Sequence, residues 1–293
     1  MTASRSLRWL AVWLALAAPA VAEPLRVMTF NLRYINRGDH FSRAWTARRD
    51  QVAEIIRRDH PDVLGVQEAL RPMLDDLGQR LDGYVEIGVG REDGLQKGEY
   101  SALLVRADRF SIQQTGTFWL SDTPETVNSK SWGNTVVRIC TWARLWDRKT
   151  SRVIHFYNTH MDHESQPARE KGIALILDRI AARQPAGPFL LTGDLNSGQE
   201  NPVQELIRTS ASRPLDVWKT VHPDESASVS GTMHGFTGKT DGGRIDYIYA
   251  SPDLKLVAAD ILHDAKDGVW PSDHFPVRAT LEIEPQPGQA EPH

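Results

Sequence analysis

Apolar residues gather along this chain in short runs that end in polar side chains. Val27-Met-Thr-Phe-Asn31 closes on an amide and Val63-Leu-Gly-Val-Gln-Glu68 on a carboxylate. Ile154-His-Phe-Tyr-Asn-Thr-His160 closes on an imidazole, and Phe189-Leu-Leu-Thr-Gly-Asp194-Leu-Asn196 on a carboxylate and an amide. Runs of this length, rich in β-branched and aromatic residues and bounded by turn formers, predict strands. The pattern places them at Leu25–Asn31, Val63–Gln67, Ser101–Arg106, Val136–Trp146, Val153–Thr159, Phe189–Thr192, Ile245–Ala250 and Val277–Ile283. The polar stretch 147–151 predicts a hairpin between two of these. Between strands, apolar positions in Ala44–Arg58 favour one helical face, and Pro61 follows its end. Ile173, Ile176, Leu177 and Ile180 recur at i, i+3, i+4, i+7 within Arg169–Ala182, which predicts a second helix. Such mixed order predicts an α/β protein of layered sheets covered by helices.

The N-terminus has a different pattern. Arg5 and Arg8 precede an apolar run from Trp9 to Ala18 and a small-residue site, Ala20-Val21-Ala22. This reads as a secretory signal peptide over residues 1–22, so the mature protein is expected to be periplasmic or secreted. No later run is long and apolar enough to span a bilayer. One domain is expected over 23–283, followed by a Pro-rich, polar, frayed tail over 284–293. Cys140 is the single cysteine. Even in an oxidising compartment it leaves no internal disulfide to form, and its apolar run marks it as a small buried residue.

Charge narrows the function. The 293 residues carry a formal net charge of −4, and loss of Arg5 and Arg8 with the signal peptide takes it to −6. No run of four basic residues occurs. A protein that grips nucleic acid by bulk charge is usually basic, so nucleic acid is not favoured as the partner. Glu68, Asp194 and Asp273 at strand ends, if they converge, form a concentrated negative site that needs a cation or protons. Oxygen ligands without cysteine suit a hard dication, Mg²⁺ or Mn²⁺. Asn31 and Asn196 add neutral oxygens or amide donors, and His160 and His274 could stabilise an anion facing the metal. That combination suits phosphoryl transfer.

Six segments carry a resemblance. They are Thr29-Phe-Asn31-Leu-Arg-Tyr, Gly65-Val-Gln-Glu68, Asn158-Thr-His160-Met-Asp162-His, Thr192-Gly-Asp194-Leu-Asn196, Arg244-Ile-Asp246-Tyr-Ile and Ser272-Asp273-His274-Phe-Pro-Val. In this order they resemble the endonuclease/exonuclease/phosphatase superfamily, the metal-dependent group that includes deoxyribonuclease I, apurinic endonucleases, deadenylases and inositol polyphosphate 5-phosphatases. Gly90-Arg91-Glu-Asp-Gly94, Gly98-Glu99-Tyr, Thr117-Phe-Trp-Leu-Ser121 and Arg138-Ile-Cys-Thr-Trp142 are similar to a bacterial subgroup of exported or cytoplasmic members.

The resemblance implies a four-layer α/β sandwich, two packed mixed β-sheets flanked by helices, with the site at one end. It implies Glu68 as the main metal ligand, helped by Asn31 and Asp273. Asp194 resembles the residue that orients or deprotonates the attacking water or binds a second metal, and Asn196 the one that holds a phosphate oxygen. His160 is expected to contact the phosphate, with Glu99 as its carboxylate partner and Asp162 in support. His274 resembles the imidazole paired with Asp246, and the general base stays open between Asp194 and that pair. Arg91 is placed to reach a phosphate. Trp132 and His234 are candidates for lining the substrate pocket.

The expected activity is metal-dependent hydrolysis of a phosphate ester by in-line attack of an activated water, on a small or lipid-linked phosphate. A secreted nuclease is the alternative, and a non-catalytic binding protein on this scaffold the third reading. The protein is expected to be a monomer.

Overall fold

A computed structural model describes residues 23–224, 229–286 and 291. The expected signal peptide and most of the expected frayed tail lie outside the described residues.

Along the chain, β1 (Glu23–Asn31), α1 (Trp45–Asp59), β2 (Val63–Ala69), α2 (Arg71–Gly78), β3 (Tyr84–Ile87) and β4 (Tyr100–Arg106) come first. Then follow β5 (Phe110–Trp119), β6 (Ile139–Asp147), β7 (Arg152–His160), α3 (Gln166–Ala181), β8 (Phe189–Asp194), α4 (Pro202–Thr209), β9 (Leu215–Asp216), α5 (Val217–Val221) and β10 (Asp246–Ala250). β11 (Lys255–Ile261) and β12 (Val277–Ile283) close the described chain. They build two six-stranded sheets, ordered β11-β12-β1-β2-β4-β3 and β5-β6-β7-β8-β10-β9. Every strand expected from the sequence is present.

Each sheet contains one parallel pair bridged by a helix. β1 runs parallel to β2 with α1 as the crossover, and β7 parallel to β8 with α3. Such crossovers place a helix against one sheet face and leave the other for packing. α1 buries Arg48, Val52, Ile55 and Ile56 on one face, and α3 buries Ile173, Ile176, Leu177 and Ile180. His60 adopts a left-handed conformation just past α1, before Pro61, and ends that helix. Ser165 caps α3 by accepting the Ala168 N–H. The inner faces of the sheets share one apolar core that includes Leu25, Val27, Leu103, Leu145, Phe156, Leu190 and Leu281.

Toward the strand ends that carry the polar motifs, this core gives way to a buried polar layer. Gln67 Nε2 donates to Thr29 Oγ1 (3.0 Å) and across the interface to Asn158 Oδ1 (2.7 Å). Asn158 Nδ2 donates to the carbonyls of Val66 (2.9 Å) and Ala102 (2.8 Å), and Thr192 Oγ1 donates to Asn158 Oδ1 (3.0 Å). The Asn158 amide is thus fully satisfied between the sheets, as a buried amide must be to avoid a desolvation cost. Gly65 leaves room for this layer: a Cβ there would lie 2.4 Å from Thr192 Oγ1 and 2.5 Å from Asn158 Oδ1. Away from this layer, buried Arg109 joins the sheets through Asp62 (2.8 Å) and Asp147 (2.8 Å).

Candidate active site

The carboxyl ends of both parallel pairs open at the same edge of the sandwich. There Asn31 is paired with Gln67, and Asp194 with His160 on one side and Asp246 on the other. Ligands in open α/β folds bind outside such strand ends, because the loops there converge while the strands hold them rigid. A cleft of about 530 Å³ occupies this edge, and Glu68, His160, Asp194, Asn196, Asp273 and His274 all reach its wall.

A register shift in β2 between Val66 and Ala69 turns Glu68 out of the sheet, at φ +59°. A bulge re-aims a side chain in this way. Glu68 Oε2 accepts the Tyr34 N–H (2.9 Å) and Oε1 the Asn31 amide (3.1 Å). The same Asn31 Nδ2 donates to Asp194 Oδ2 (2.9 Å), while Asn31 Oδ1 accepts the Arg33 N–H (3.0 Å). Both carboxylates can only accept, so the orientation of the amide is determined. Asn31 spaces two acids.

His274 Nδ1 donates to Asp246 Oδ2 at 2.8 Å and lies 3.8 Å from Asp194 Oδ2. Burial opposes charge on this ring, yet Asp246, then Asp194 and Asp273, raise its pKa well above the ordinary value. Nε2 is left as the ring atom free for a ligand. Burial first, and then the Asp246 carboxylate, raise the pKa of Asp194. Asp246 Oδ1 is buried without a partner among the described residues. Burial and the neighbouring Glu68 raise Asp273 likewise. Arg33 approaches Asp273 Oδ2 at 3.6 Å.

Asn196 Nδ2 donates to Met161 O (3.0 Å) and lies 3.0 Å from His160 Nε2. A carbonyl accepts only, so the amide nitrogen faces both groups and His160 Nε2 is the acceptor. The His160 proton then sits on Nδ1, 3.9 Å from Glu99 Oε2. Burial, then Arg138 and Arg91, hold the His160 pKa well below its usual value. His160 is a neutral ring in this arrangement, and His274 is the charged one.

The profile of the endonuclease/exonuclease/phosphatase family matches residues 28–274. The chain belongs to that family. It is accordingly a metal-dependent phosphoric ester hydrolase. It is similar to a family protein from Bacteroides vulgatus (34% identity, 89% of this chain and 100% of that one, TM-score 0.84). It is also similar to a Bacteroides thetaiotaomicron mannosyl-6-phosphatase (34%, 88% and 99%, TM-score 0.79). D. rerio TDP2 complexed with single-strand DNA product shares the fold at 15% identity (89% and 99%, TM-score 0.71). No curated protein matches the chain in sequence.

The residues fit the divalent ion this family uses. Asp194, Asp246 and His274 offer ligand atoms within 4.8 Å of one another. The His274–Asp246 bond, however, already occupies the ring nitrogen that faces the acids. Glu68 and Asp273 present carboxylates to the cleft beside this trio, and Asp246 Oδ1 adds unpartnered negative charge behind it. An oxygen-dominated, acid-rich set of this kind suits a hard dication.

Five of the expected residues make contacts that the sequence does not show. Asn31 acts as a donor between Glu68 and Asp194, with its oxygen on the Arg33 N–H. Glu99 stands 3.9 Å from His160 Nδ1, and Arg91 also takes both its oxygens (2.9 and 2.8 Å), because a guanidinium matches a carboxylate fork in two places. Arg91 still lines the cleft, in that paired state. Trp132 lies outside the cleft lining, with Nε1 on Asp122 Oδ1 (2.8 Å) and the Lys171 ammonium over its ring. His234 lies behind the wall, stacked on Phe275 at 3.9 Å. Asp162 caps the turn into α3 through the Glu164 and Ser165 N–H groups, and its other oxygen faces Arg138 Nε at 4.0 Å.

Arg33, Tyr34, Arg138 and His163 also line the cleft and were not singled out from the sequence. Arg33 and Tyr34 follow Asn31 inside a motif segment, which was an available signal. Arg138 is 5% exposed, donates Nη2 to His163 Nδ1 (3.0 Å), and leaves Nε and Nη1 without partners among the described residues. Its place at the head of Arg138-Ile-Cys-Thr-Trp142 was an available signal.

Proposed function

We propose that this enzyme hydrolyses a small, polar phosphate ester of the sugar-phosphate type, using Mg²⁺ or Mn²⁺, after export to the periplasm or beyond. The cleft carries this reading. Its acids are Glu68, Glu99, Asp194 and Asp273, its arginines are Arg33, Arg91 and Arg138, and among the described residues Tyr34 is the only Phe, Tyr or Trp in its lining. Stacking platforms are what single-stranded nucleic-acid sites rely on, and this wall offers little for a base to stack on. The likeness to a mannosyl-6-phosphatase at 34% identity supports the same substrate class. The N-terminal residues 1–22 support export.

Glu68 and Asp273 would hold the ion, with Asn31 and Tyr34 N–H fixing the Glu68 carboxylate. When bound, the ion supplies positive charge that polarises the phosphoryl group. Asp194, its pKa raised toward the working range of a base, orients the attacking water. His274 stays charged through Asp246 and offers Nε2–H to a non-bridging oxygen. The Asn196 amide keeps one hydrogen on Met161 O and turns the other from His160 Nε2 to a phosphate oxygen when substrate enters.

The test is a Mg²⁺- and Mn²⁺-supplemented panel of sugar phosphates, inositol phosphates, phospholipids, RNA and plasmid DNA, with Asp194→Ala as the blank. Turnover of sugar phosphates with DNA left intact is expected. Plasmid degradation that falls steeply with salt would instead establish the nuclease reading.

A further inference from the structure

We infer that Arg48, a residue on α1 outside the cleft lining, is a positioning residue that clamps together the two loops carrying the metal-binding side chains and thereby sets metal affinity. The guanidinium is fully buried, at 0% exposure. Its Nε donates to Arg43 O (2.7 Å), Nη1 to Leu32 O (2.8 Å) and to Pro271 O (2.6 Å), and Nη2 to Arg33 O (3.0 Å). Among the described residues no carboxylate is bonded to it, which is unusual for a buried charge. All four bonds go to backbone carbonyls, three of them (Leu32, Arg33 and Pro271) in irregular segments and one at the end of the short 3-10 turn Phe41–Arg43.

These carbonyls lie next to the site. Leu32 and Arg33 directly follow Asn31, whose amide holds Glu68. Pro271 stands two residues before Asp273. One nitrogen, Nη1, therefore ties the Asn31 loop to the Asp273 loop. Ser272 Oγ adds a second tie by donating to Asn31 O (2.7 Å). The guanidinium also lies 5.6 Å from the Phe236 ring, in the loop whose His234 and Gly235 N–H groups hold the Asp273 carbonyl (2.9 and 3.0 Å). Glu68 and Asp273 reach the cleft from different ends of the sequence and repel each other. Something must hold them together before an ion arrives, and Arg48 does this from behind. Lysine cannot replace it: an ammonium lacks the planar fork that spans carbonyls on both loops.

The inference rests on the metal reading above, so the test reads the metal directly. Mn²⁺ binding to the substrate-free protein is measured by calorimetry for the unaltered chain, Arg48→Lys and Ser272→Ala, beside the Mg²⁺ dependence of turnover. Loosening of the clamp is expected to weaken Mn²⁺ binding about 10–100-fold in Arg48→Lys, the range seen when groups supporting metal ligands are removed. Ser272→Ala is expected to weaken it less. Turnover at saturating Mg²⁺ is expected to recover most of its original rate. Mn²⁺ affinity unchanged in a folded Arg48→Lys overturns the clamp and leaves the metal reading standing. If Arg48→Lys does not fold, unchanged affinity in Ser272→Ala overturns it. A low rate that no Mg²⁺ concentration restores, with affinity intact, also overturns it, since that is the mark of a merely structural residue. Absence of Mn²⁺ binding by the unaltered chain overturns the metal reading and the clamp with it.

Discussion

Asn31 donates its amide to two carboxylates, and this makes it an organiser of negative charge. The sequence places an amide at a strand end but does not say which of its atoms faces the site. Glu68 shows the same dependence on surroundings. It holds φ +59°, which is unfavourable for a non-glycine residue, and backbone strain of this kind persists where the surrounding structure holds it. Tyr34 N–H and Asn31 hold it here. His160 and His274 look alike in sequence, yet burial beside Arg138 and Arg91 keeps one neutral while Asp246 keeps the other charged. Glu68→Gln keeps the shape and removes the charge, and His274→Ala removes the charged ring. Each is expected to lower kcat/KM on the phosphate ester by ~10²–10³ in steady-state kinetics, and calorimetry is expected to show a lower melting temperature for His274→Ala, which strips buried Asp246 of its partner. Near-normal turnover in both would refute these assignments.

At the scale of elements, two parallel strand pairs bring their carboxyl ends to one edge, and the polar layer around Asn158 locks the pairs against each other. Gly65 is where that layer is tightest. Gly65→Ala is expected to cost about 2–3 kcal/mol, because Asn158 cannot retreat without breaking its bonds across the interface, nor Thr192 without breaking its bond to Asn158. For a domain of this size that is a fall in Tm of roughly 4–12 °C. Gly78→Ala is the control: nothing lies within 4 Å of its added Cβ, and it is expected to leave Tm nearly unchanged. Strands with a continuous apolar run were legible in the sequence. The four edge strands β3, β5, β9 and β11 were not. Their residues are only partly buried, because each of these strands lies at a sheet edge. Edge strands need less apolar surface, so their pattern is faint.

For the whole molecule, stability on the acid side depends on buried neutral rings. His155, on the outer face of the second sheet, is 2% exposed, with Nε2 on Pro185 O (3.0 Å) and Nδ1 unpartnered among the described residues. Burial, with Arg183 and Arg144 nearby, lowers its pKa to about 4. The unfolded chain takes up this proton near the ordinary histidine value of 6.5, while the folded chain resists it down to about 4. The stabilisation is therefore complete above pH 6.5 and is lost as pH falls toward 4, by up to about 3 kcal/mol. Denaturant unfolding between pH 4 and 7 is expected to show a flatter acid limb for His155→Phe than for the unaltered chain; an identical slope would refute the assignment.

The sequence by itself determined the central strands, the two crossover helices and the acids, amides and imidazoles of the site, because strand periodicity and the need for polar strand ends are local properties. Only the tertiary structure decided which of those groups face one another. Arg91 claims Glu99, Asn31 separates Glu68 from Asp194, and Arg48 and Arg138 are buried arginines whose surroundings come from residues far along the chain. A side chain's charge, tautomer and partner depend on the groups packed around it, and those are set by long-range contacts that no local pattern records.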